Sequence, residues 1–174
     1  MVHLLKYDRV LPAADFLGER LGAAMTKLRG AAIATRSDSW LVVPVPLHSS
    51  KLRQRGFNQA ELIAGAALRT AGWRHLRMGT KALVRYRETV SQAGLTRHQR
   101  RQNIRGAFRV RKPELVAGKD ILLVDDVFTT GATVSECARV LLRAGARSVR
   151  VATVARALKA DRVFTPVLMT KAAA

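Results

Sequence analysis

Apolar residues recur at helical spacing in some stretches and in short unbroken runs in others, and the two patterns alternate along most of the chain. Residues 1 to 35 read as helical, with Phe16, Leu17, Leu21, Ala24, Met25 and Leu28 on one face. Pro12 suits a first helical turn and Gly30 marks a stop. The piece VHLLKY ahead of Pro12 is expected as a helical turn against a sheet. Leu41 to Val45 is a run of the kind buried on both faces of a parallel sheet. Pro44 and Pro46 bound it, since proline ends ladder pairing. Asn58 to Ala71 returns to helical spacing, with Leu62, Ile63, Ala66, Ala67 and Leu68 inward. Lys81 to Tyr86 and Ala107 to Val110 are short strand candidates, and Pro113 and Gly118 mark the turn that follows. Ile121 to Val124 is a second fully buried type of strand. A helix to Ala144 comes next, carrying Val134, Ala138, Leu141 and Leu142 on its apolar side. After a turn at Gly145, Val149 to Val154 forms the last strand.

Two stretches break this alternation. LHSSKLRQRGFNQA (47–60) is basic and polar, and reads as a loop up to Asn58. RETVSQAGLTRHQRRQNIR (87–105) has helical potential in part but no clean apolar stripe. A segment this long inside a compact domain is usually functional or mobile. Residues 158–174 show no firm pattern and are expected as a C-terminal tail open to disorder. Strands alternating with helices predict one α/β domain over 1–157, a mostly parallel central sheet flanked by helices.

Composition narrows the partners. The 174 residues are 48% hydrophobic, enough for one real core. A net charge of +19 favours anionic partners, whether nucleotides, polyphosphates or nucleic acid, without choosing among them. The single cysteine, Cys137, rules out an intramolecular disulfide and a Cys-based zinc site, and reads as a buried structural thiol. His3, His48, His75 and His98 show no metal-ligand spacing. The N-terminus lacks the apolar core and cleavage site of a signal peptide, and no run is long enough to span a bilayer, so the cytoplasm is the expected compartment.

The chemistry concentrates in ILLVDDVFTTGAT (121–133). Asp125 and Asp126 end the apolar run, at the end of a parallel strand where open sheets bind ligands. Thr129, Thr130, Gly131, Ala132 and Thr133 then place backbone N–H groups at a helix start, a ready anion site. Gly131 allows close approach of backbone to a phosphate. Acids for hydroxyls or a metal thus stand beside a phosphate cradle, and a sugar phosphate satisfies both. The bland alternative is a buried strand and an ordinary capped turn, but adjacent carboxylates there are costly unless partnered. Lys51, Arg53 and Arg55, next to Ser49, Ser50 and Gly56, suit a pyrophosphate, or are a solvated basic loop. Arg97, Arg100, Arg101 and Arg105, with Gln92, His98 and Asn103, suit a loop closing over a polyphosphate, or one that binds a nucleic-acid backbone.

ILLVDDVFTTGAT resembles the phosphoribosyl-pyrophosphate (PRPP) signature of type I phosphoribosyltransferases. VPVPLHSSKLRQRGFNQAELIA and RETVSQAGLTRHQRRQNIRGAF, in that order before it, are similar to the ComF family of competence-associated proteins, as is the opening VHLLKY…LGERLGAAM. The resemblance covers about residues 2 to 156, and its RGFNQAELIA and Gln92–Leu95–Arg101–Asn103–Phe108 patterns are fairly specific. It implies a type I phosphoribosyltransferase-like fold in which Asp125 and Asp126 face the ribose hydroxyls and residues 129–133 hold the 5′-phosphate. PRPP would arrive with Mg2+, held through PRPP rather than by a dedicated protein cage. Lys51, Arg53 and Arg55 would neutralise the departing pyrophosphate. Arg97, Arg100 or Arg101 would assist on loop closure, so that Asp125, Asp126, Arg97 and Arg101 form the expected catalytic set. The resemblance also implies a link to DNA uptake or to nucleotide metabolism, with competence or DNA-uptake proteins as partners.

Two departures stand out. ComF proteins commonly carry an N-terminal cysteine-rich zinc ribbon; this chain begins where that module would end and lacks its cysteines, which implies a short form or a start further upstream. Purine-salvage members of the superfamily place a carboxylate where Thr129 stands, which argues against a simple hypoxanthine or guanine enzyme. The rival reading is a non-catalytic single-stranded DNA-binding accessory on the same fold, although nine Trp, Tyr and Phe residues supply few stacking platforms for bases.

Overall fold

The computed structural model describes residues 12–32, 40–73, 76–92, 94–156 and 167–172. Helix α1 spans Pro12–Ala32, with Pro12 in its first turn. Leu17, Leu21 and Met25 are buried at four-residue spacing. The helix runs through Gly30, the expected stop, because one glycine weakens a helix without ending it. Phe16 turns outward at 41% exposure, under the guanidinium of Arg20 at 4.8 Å. The VHLLKY piece and the side chain of Leu28 lie outside the described residues.

Strand β1, Trp40–Pro44, is buried throughout. Pro44 is its last rung, paired with Val124, rather than a boundary inside the run. The next segment, expected as a loop, forms a seven-residue helix α2, Ser49–Arg55. His48 caps it by accepting from Ser50 N, and Gly56 in the left-handed conformation ends it. Helix α3, Gln59–Thr70, starts at Asn58, whose Oδ1 accepts from Ala60 N at 3.0 Å. It crosses α1 closely: a Cβ at Gly18 would lie 2.3 Å from Ala66 Cβ.

A two-residue strand β2, Arg77–Met78, pairs with β1 and is too short to leave a sequence pattern. Strand β3, Leu83–Arg85, is followed by helix α4, Arg97–Ile104, in which Thr96 and Gln99 make a reciprocal capping box. Strand β4, Phe108–Val110, pairs antiparallel with β3 in a separate ribbon. A single 3-10 turn at Pro113–Leu115 leads to β5, Asp120–Phe128. That strand is nine residues long, so both acids lie within it rather than beyond it. Helix α5, Ala132–Arg143, and strand β6, Ser148–Arg156, follow. The segment expected as a patternless tail contains a strand β7, Val167–Ala172, antiparallel to β6. Ladder pairing supplied by an existing sheet edge orders a segment whose own periodicity is weak.

The main sheet runs β2-β1-β5-β6-β7, with the first four strands parallel. A parallel sheet must be covered on both faces, and this one is. Leu122 and Val124 pack with Leu17, Leu21, Val42 and Ile63 on the α1–α3 side. Ile121 and Leu123 pack with Val43, Phe108, Cys137 and Leu141 on the α5 side. Cys137 is fully buried, and that burial pushes its thiol well above the ordinary value, as expected of a structural cysteine. Helix α3, which follows β1 and α2, covers one face with α1, and α5, which follows β5, covers the other. Neighbouring strands that send their connections to opposite faces leave a crevice between them at their carboxyl ends.

Candidate functional site

That crevice is a cleft of about 630 Å3 between the ends of β1 and β5, α2, the start of α3 and the loop over residues 88–92. Asp125, Asp126, Thr129 and Thr133 line it, with Lys51, Arg55, Gln59, Arg85 and Arg100.

Alternation along β5 sends the two acids to opposite faces of the sheet. Asp126 follows Leu122 and Val124 toward α3 and is only 5% exposed. Its Oδ1 accepts from Val127 N at 2.7 Å and its Oδ2 from Gln59 Nε2 at 3.3 Å. Asp125 follows Ile121 and Leu123 toward α5 and is half-buried. Its Oδ1 accepts from Asp126 N at 2.9 Å. Its charge raises the Cys137 thiol further and supports the Arg85 cation, which burial lowers. The acids therefore border one cleft from two sides, rather than standing side by side.

The turn over 129–133 also divides. Thr129 and Thr133 face the cleft. Thr130 turns back, its Oγ1 accepting from Ala132 N at 3.4 Å. Gly131 is the N-cap of α5, with φ 76° and no side-chain cap. A Cβ there would lie 2.8 Å from Phe128 Cζ, so Phe128 as well as the backbone demands glycine. Ala132 is buried beneath the turn. With glycine at the cap, no side chain at that position competes for the N–H groups that open α5, of which Ala132 N already donates to Thr130 Oγ1.

Helix α2 sorts the first basic cluster. Residues four apart share a helix face, and Lys51 and Arg55 line the cleft. Arg53, two positions from each, is exposed and is not on the cleft wall. Lys51 Nζ donates to Gln54 Oε1 at 3.0 Å. Helix α4 sorts the second cluster. Arg100 lines the cleft and its Nε donates to Leu95 O at 2.9 Å. Arg97 and Arg101 are exposed and absent from the wall. The loop before α4 is folded back onto it: Arg87 donates to Asn103 O and Arg105 O, and Asn103 Nδ2 donates to Val90 O. Gln92 Nε2 donates to Thr133 Oγ1 at 3.1 Å and ties this loop to the start of α5.

Several wall residues carried no legible signal. Arg85 sat inside a strand candidate and Gln59 inside a helix. His48, Ser50 and Glu88 form a further cluster at the rim. His48 Nδ1 is 2.8 Å from Ser50 Oγ, which donates to Glu88 Oε1 at 2.5 Å. That bond, with the nearby cations, holds the Glu88 carboxyl below its ordinary range. Of these, Ser50 was anticipated through its place beside the first basic cluster, and Gln92 through its place in the quoted pattern and the second cluster.

Among the described residues no group of three or more His, Cys, Asp or Glu side chains is placed to hold a metal. The two carboxylates are hard oxygen donors, and fit a cation whose remaining positions are filled by ligand phosphates and water. No helix of the described residues is long and apolar enough to cross a membrane.

A family model described as the phosphoribosyl transferase domain matches residues 70–163. The DNA utilization protein YhgH of Escherichia coli O6:H1 is 35% identical over 158 residues, 91% of this chain and 66% of the relative. Competence protein F of Haemophilus influenzae is 36% identical over 118 residues, 67% of this chain and 50% of the relative. Competence protein ComFC of Streptococcus pneumoniae is 32% identical over 114 residues, 66% of this chain and 47% of the relative. The chain spans about two thirds of the length of the first of these relatives.

Proposed function

The chain belongs to the phosphoribosyl transferase domain family, in its ComF type, and on that premise we propose that its cleft binds PRPP and supports phosphoribosyl transfer. The observation that carries this reading is the convergence on one cleft of two carboxylates, the start of α5, and Lys51 and Arg55. The cleft volume of about 630 Å3 suits a small ligand.

Asp125 and Asp126 accept hydrogen bonds from the ribose hydroxyls, one from each side of the sheet end. Main-chain N–H groups over 129–133 and the hydroxyls of Thr129 and Thr133 take the 5′-phosphate. Lys51, Arg55 and Arg100 pair with the pyrophosphate. In the transfer step the bond from the anomeric carbon to pyrophosphate breaks and its electron pair leaves with the pyrophosphate. Positive charge develops on the sugar, as in glycosyl transfer generally, and the two carboxylates oppose it. The acceptor's lone pair then forms the new bond to that carbon. Mg2+ would arrive with PRPP beside Asp125 and Asp126 and would offset the negative charge of the leaving group. Cytoplasmic placement belongs to the same reading.

Calorimetry with PRPP and Mg2+ tests it. The wild-type chain is expected to bind, and the Asp125→Asn, Asp126→Asn double variant to lose binding. Unchanged affinity in the double variant sinks the assignment.

A second reading keeps the fold and drops the turnover: a single-stranded DNA-binding accessory that works with competence or DNA-uptake proteins. It is favoured by Arg97, Arg101 and Arg105, which are exposed and not on the cleft wall, by the +19 net charge, and by relatives named for DNA utilization and competence. Binding to a single-stranded oligonucleotide that weakens steeply with salt, with no PRPP affinity, would select it.

A further inference from the structure

Among the described residues, Glu88 is the one cleft-wall carboxylate that β5 does not supply. It stands on the loop over 88–92 and faces α2, where Ser50 Oγ donates to its Oε1 at 2.5 Å. His48 Nδ1 lies 2.8 Å from Ser50 Oγ and 3.8 Å from the same carboxylate oxygen. The Ser50 bond first, then nearby His48, Lys51 and Arg53, hold the carboxyl below its ordinary value, so the group is an anion at neutral pH. Its side chain is 61% exposed, so the carboxylate can leave this position for water without a burial cost.

A clasp that keeps the loop folded is the plain reading of the Glu88–Ser50 bond. The loop has other anchors, however. Asn103 Nδ2 donates to Val90 O at 2.9 Å, and Gln92 Nε2 donates to Thr133 Oγ1 at 3.1 Å. Just ahead of Glu88, Arg87 donates to Asn103 O and Arg105 O. A clasp also needs no charge, since a neutral amide oxygen accepts from a hydroxyl as well. What a carboxylate adds is its field. Lys51 and Arg55 look into the same cleft from α2. In the empty cleft Glu88 offsets the charge of Lys51 and Arg53. An anionic ligand that reaches α2 meets a like charge already seated there, and like charges a few ångströms apart oppose each other even in a partly wet cleft.

We propose that Glu88 is an autoinhibitory residue, a tethered anion that sits against α2 in the empty cleft and competes with the ligand's own anionic end for that wall. The inference rests on the PRPP reading of the cleft. Every anion that takes the α2 wall must first turn Glu88 out. An anion held at α2 alone, such as a lone carboxylate or a monophosphate, is thereby pushed to low occupancy. A ligand also held at Asp125, Asp126 and the turn over 129–133 keeps its place. A ligand that leaves α2 untouched does not feel Glu88.

Calorimetry of the full chain at low and high salt tests this, with inorganic pyrophosphate, ribose 5-phosphate and PRPP, each with Mg2+. Glu88→Gln keeps an acceptor for Ser50 and removes the charge. It is expected to tighten pyrophosphate and PRPP by roughly two- to fivefold, the scale of a partly screened surface charge, and to leave ribose 5-phosphate unchanged. The gain should shrink at high salt. Ser50→Ala, which removes the tether and leaves the charge, should give a smaller gain with the same two ligands. Glu61→Gln removes the same charge from an exposed position on α3 outside the cleft wall, and should change none of the three. Unchanged or weaker pyrophosphate binding in Glu88→Gln, as a structural clasp requires, overturns the proposal, and so does an equal gain in Glu61→Gln. In either case wild-type binding of PRPP would still uphold the reading of the cleft. Tighter pyrophosphate in Glu88→Gln, with PRPP bound by neither chain, would uphold Glu88 and sink the PRPP reading. Binding of none of the three by wild type or Glu88→Gln would sink both.

Discussion

Gln59 Nε2 donates to Asp126 Oδ2 at 3.3 Å, joining the first turn of α3 to the carboxyl end of β5 across 67 positions of sequence. Val127 N occupies the other oxygen of the same carboxylate at 2.7 Å. Asp126 is thereby held on both sides in a nearly closed environment, and its orientation toward the cleft depends on Gln59. Gln59 Oε1 has no hydrogen-bond partner among the described residues, so the side chain is held for what its amide donates. Asn58 supports it by bonding Val45 O at 3.1 Å, which fixes the start of α3 to the end of β1.

Replacing Gln59 tests this support. Gln59→Leu is expected to destabilise the fold by roughly 1–3 kcal/mol, the cost of leaving a buried acceptor under-satisfied, and to weaken PRPP. Gln59→Glu sets two carboxylates against each other and should weaken PRPP further. Denaturant melts and calorimetry read the two effects separately. Wild-type affinity in Gln59→Glu would show that Asp126 needs no such partner.

The three cations of α2 should not be equivalent. Arg55→Gln and Lys51→Gln are expected to weaken PRPP by a few-fold to roughly tenfold each, as for a partly exposed charge contact. Arg53→Gln should leave affinity close to wild type. Three equal losses would mean that 47–56 behaves as a loop and that the helical sorting of these side chains is wrong.

Gly131→Ala meets two obstacles at once: a positive φ of 76° and the ring of Phe128 at 2.8 Å from the new Cβ. The expected cost is about 1–3 kcal/mol, with weakened PRPP affinity in calorimetry on the proposed reading. Phe128→Leu in the same chain relieves the steric part and leaves the backbone part. The double variant should therefore be more stable than the sum of the single losses implies, and strict additivity would remove Phe128 from the account.

Glu136 supplies a pH test. It bonds Arg139 and the Gly106 N–H, the latter at 2.7 Å, and so locks α5 to the turn after α4. The Arg139 hydrogen bond is the main reason its carboxyl lies below the usual value of 4.5. A carboxyl whose folded pKa is depressed stabilises the fold fully above about pH 4.5 and loses that contribution as pH falls through the folded value. The stability gap between wild type and Glu136→Gln should be widest near neutral pH and should close on the acid side. A gap that does not change with pH would assign the effect to packing.

Much of the frame was legible because it depends on local pattern. The buried runs at 41–45 and 121–124 and the amphipathic stretches after Pro12 and Asn58 all state their place in the fold within a few residues. The errors share a cause. Helix α2 buries none of its residues, so no apolar stripe announced it. Strand β2 has two residues, and β7 takes its order from pairing with β6. Arg97 and Arg101 looked equivalent to Arg100 because a charge run carries no direction until a helix gives it one.

The sequence alone thus determined the class of the fold, the family the chain belongs to and the net charge of +19. Those follow from periodicity, residue type and composition, which are local or additive. Only the tertiary structure decided that Asp125 and Asp126 leave opposite faces of the sheet, that Gln59 holds one of them, and that Arg85 and Arg100 rather than Arg97 and Arg101 reach the cleft. Each of those outcomes depends on which groups far apart along the chain meet where β1 and β5 send their connections to opposite sides. A single strand or helix, read by itself, contains no record of that meeting.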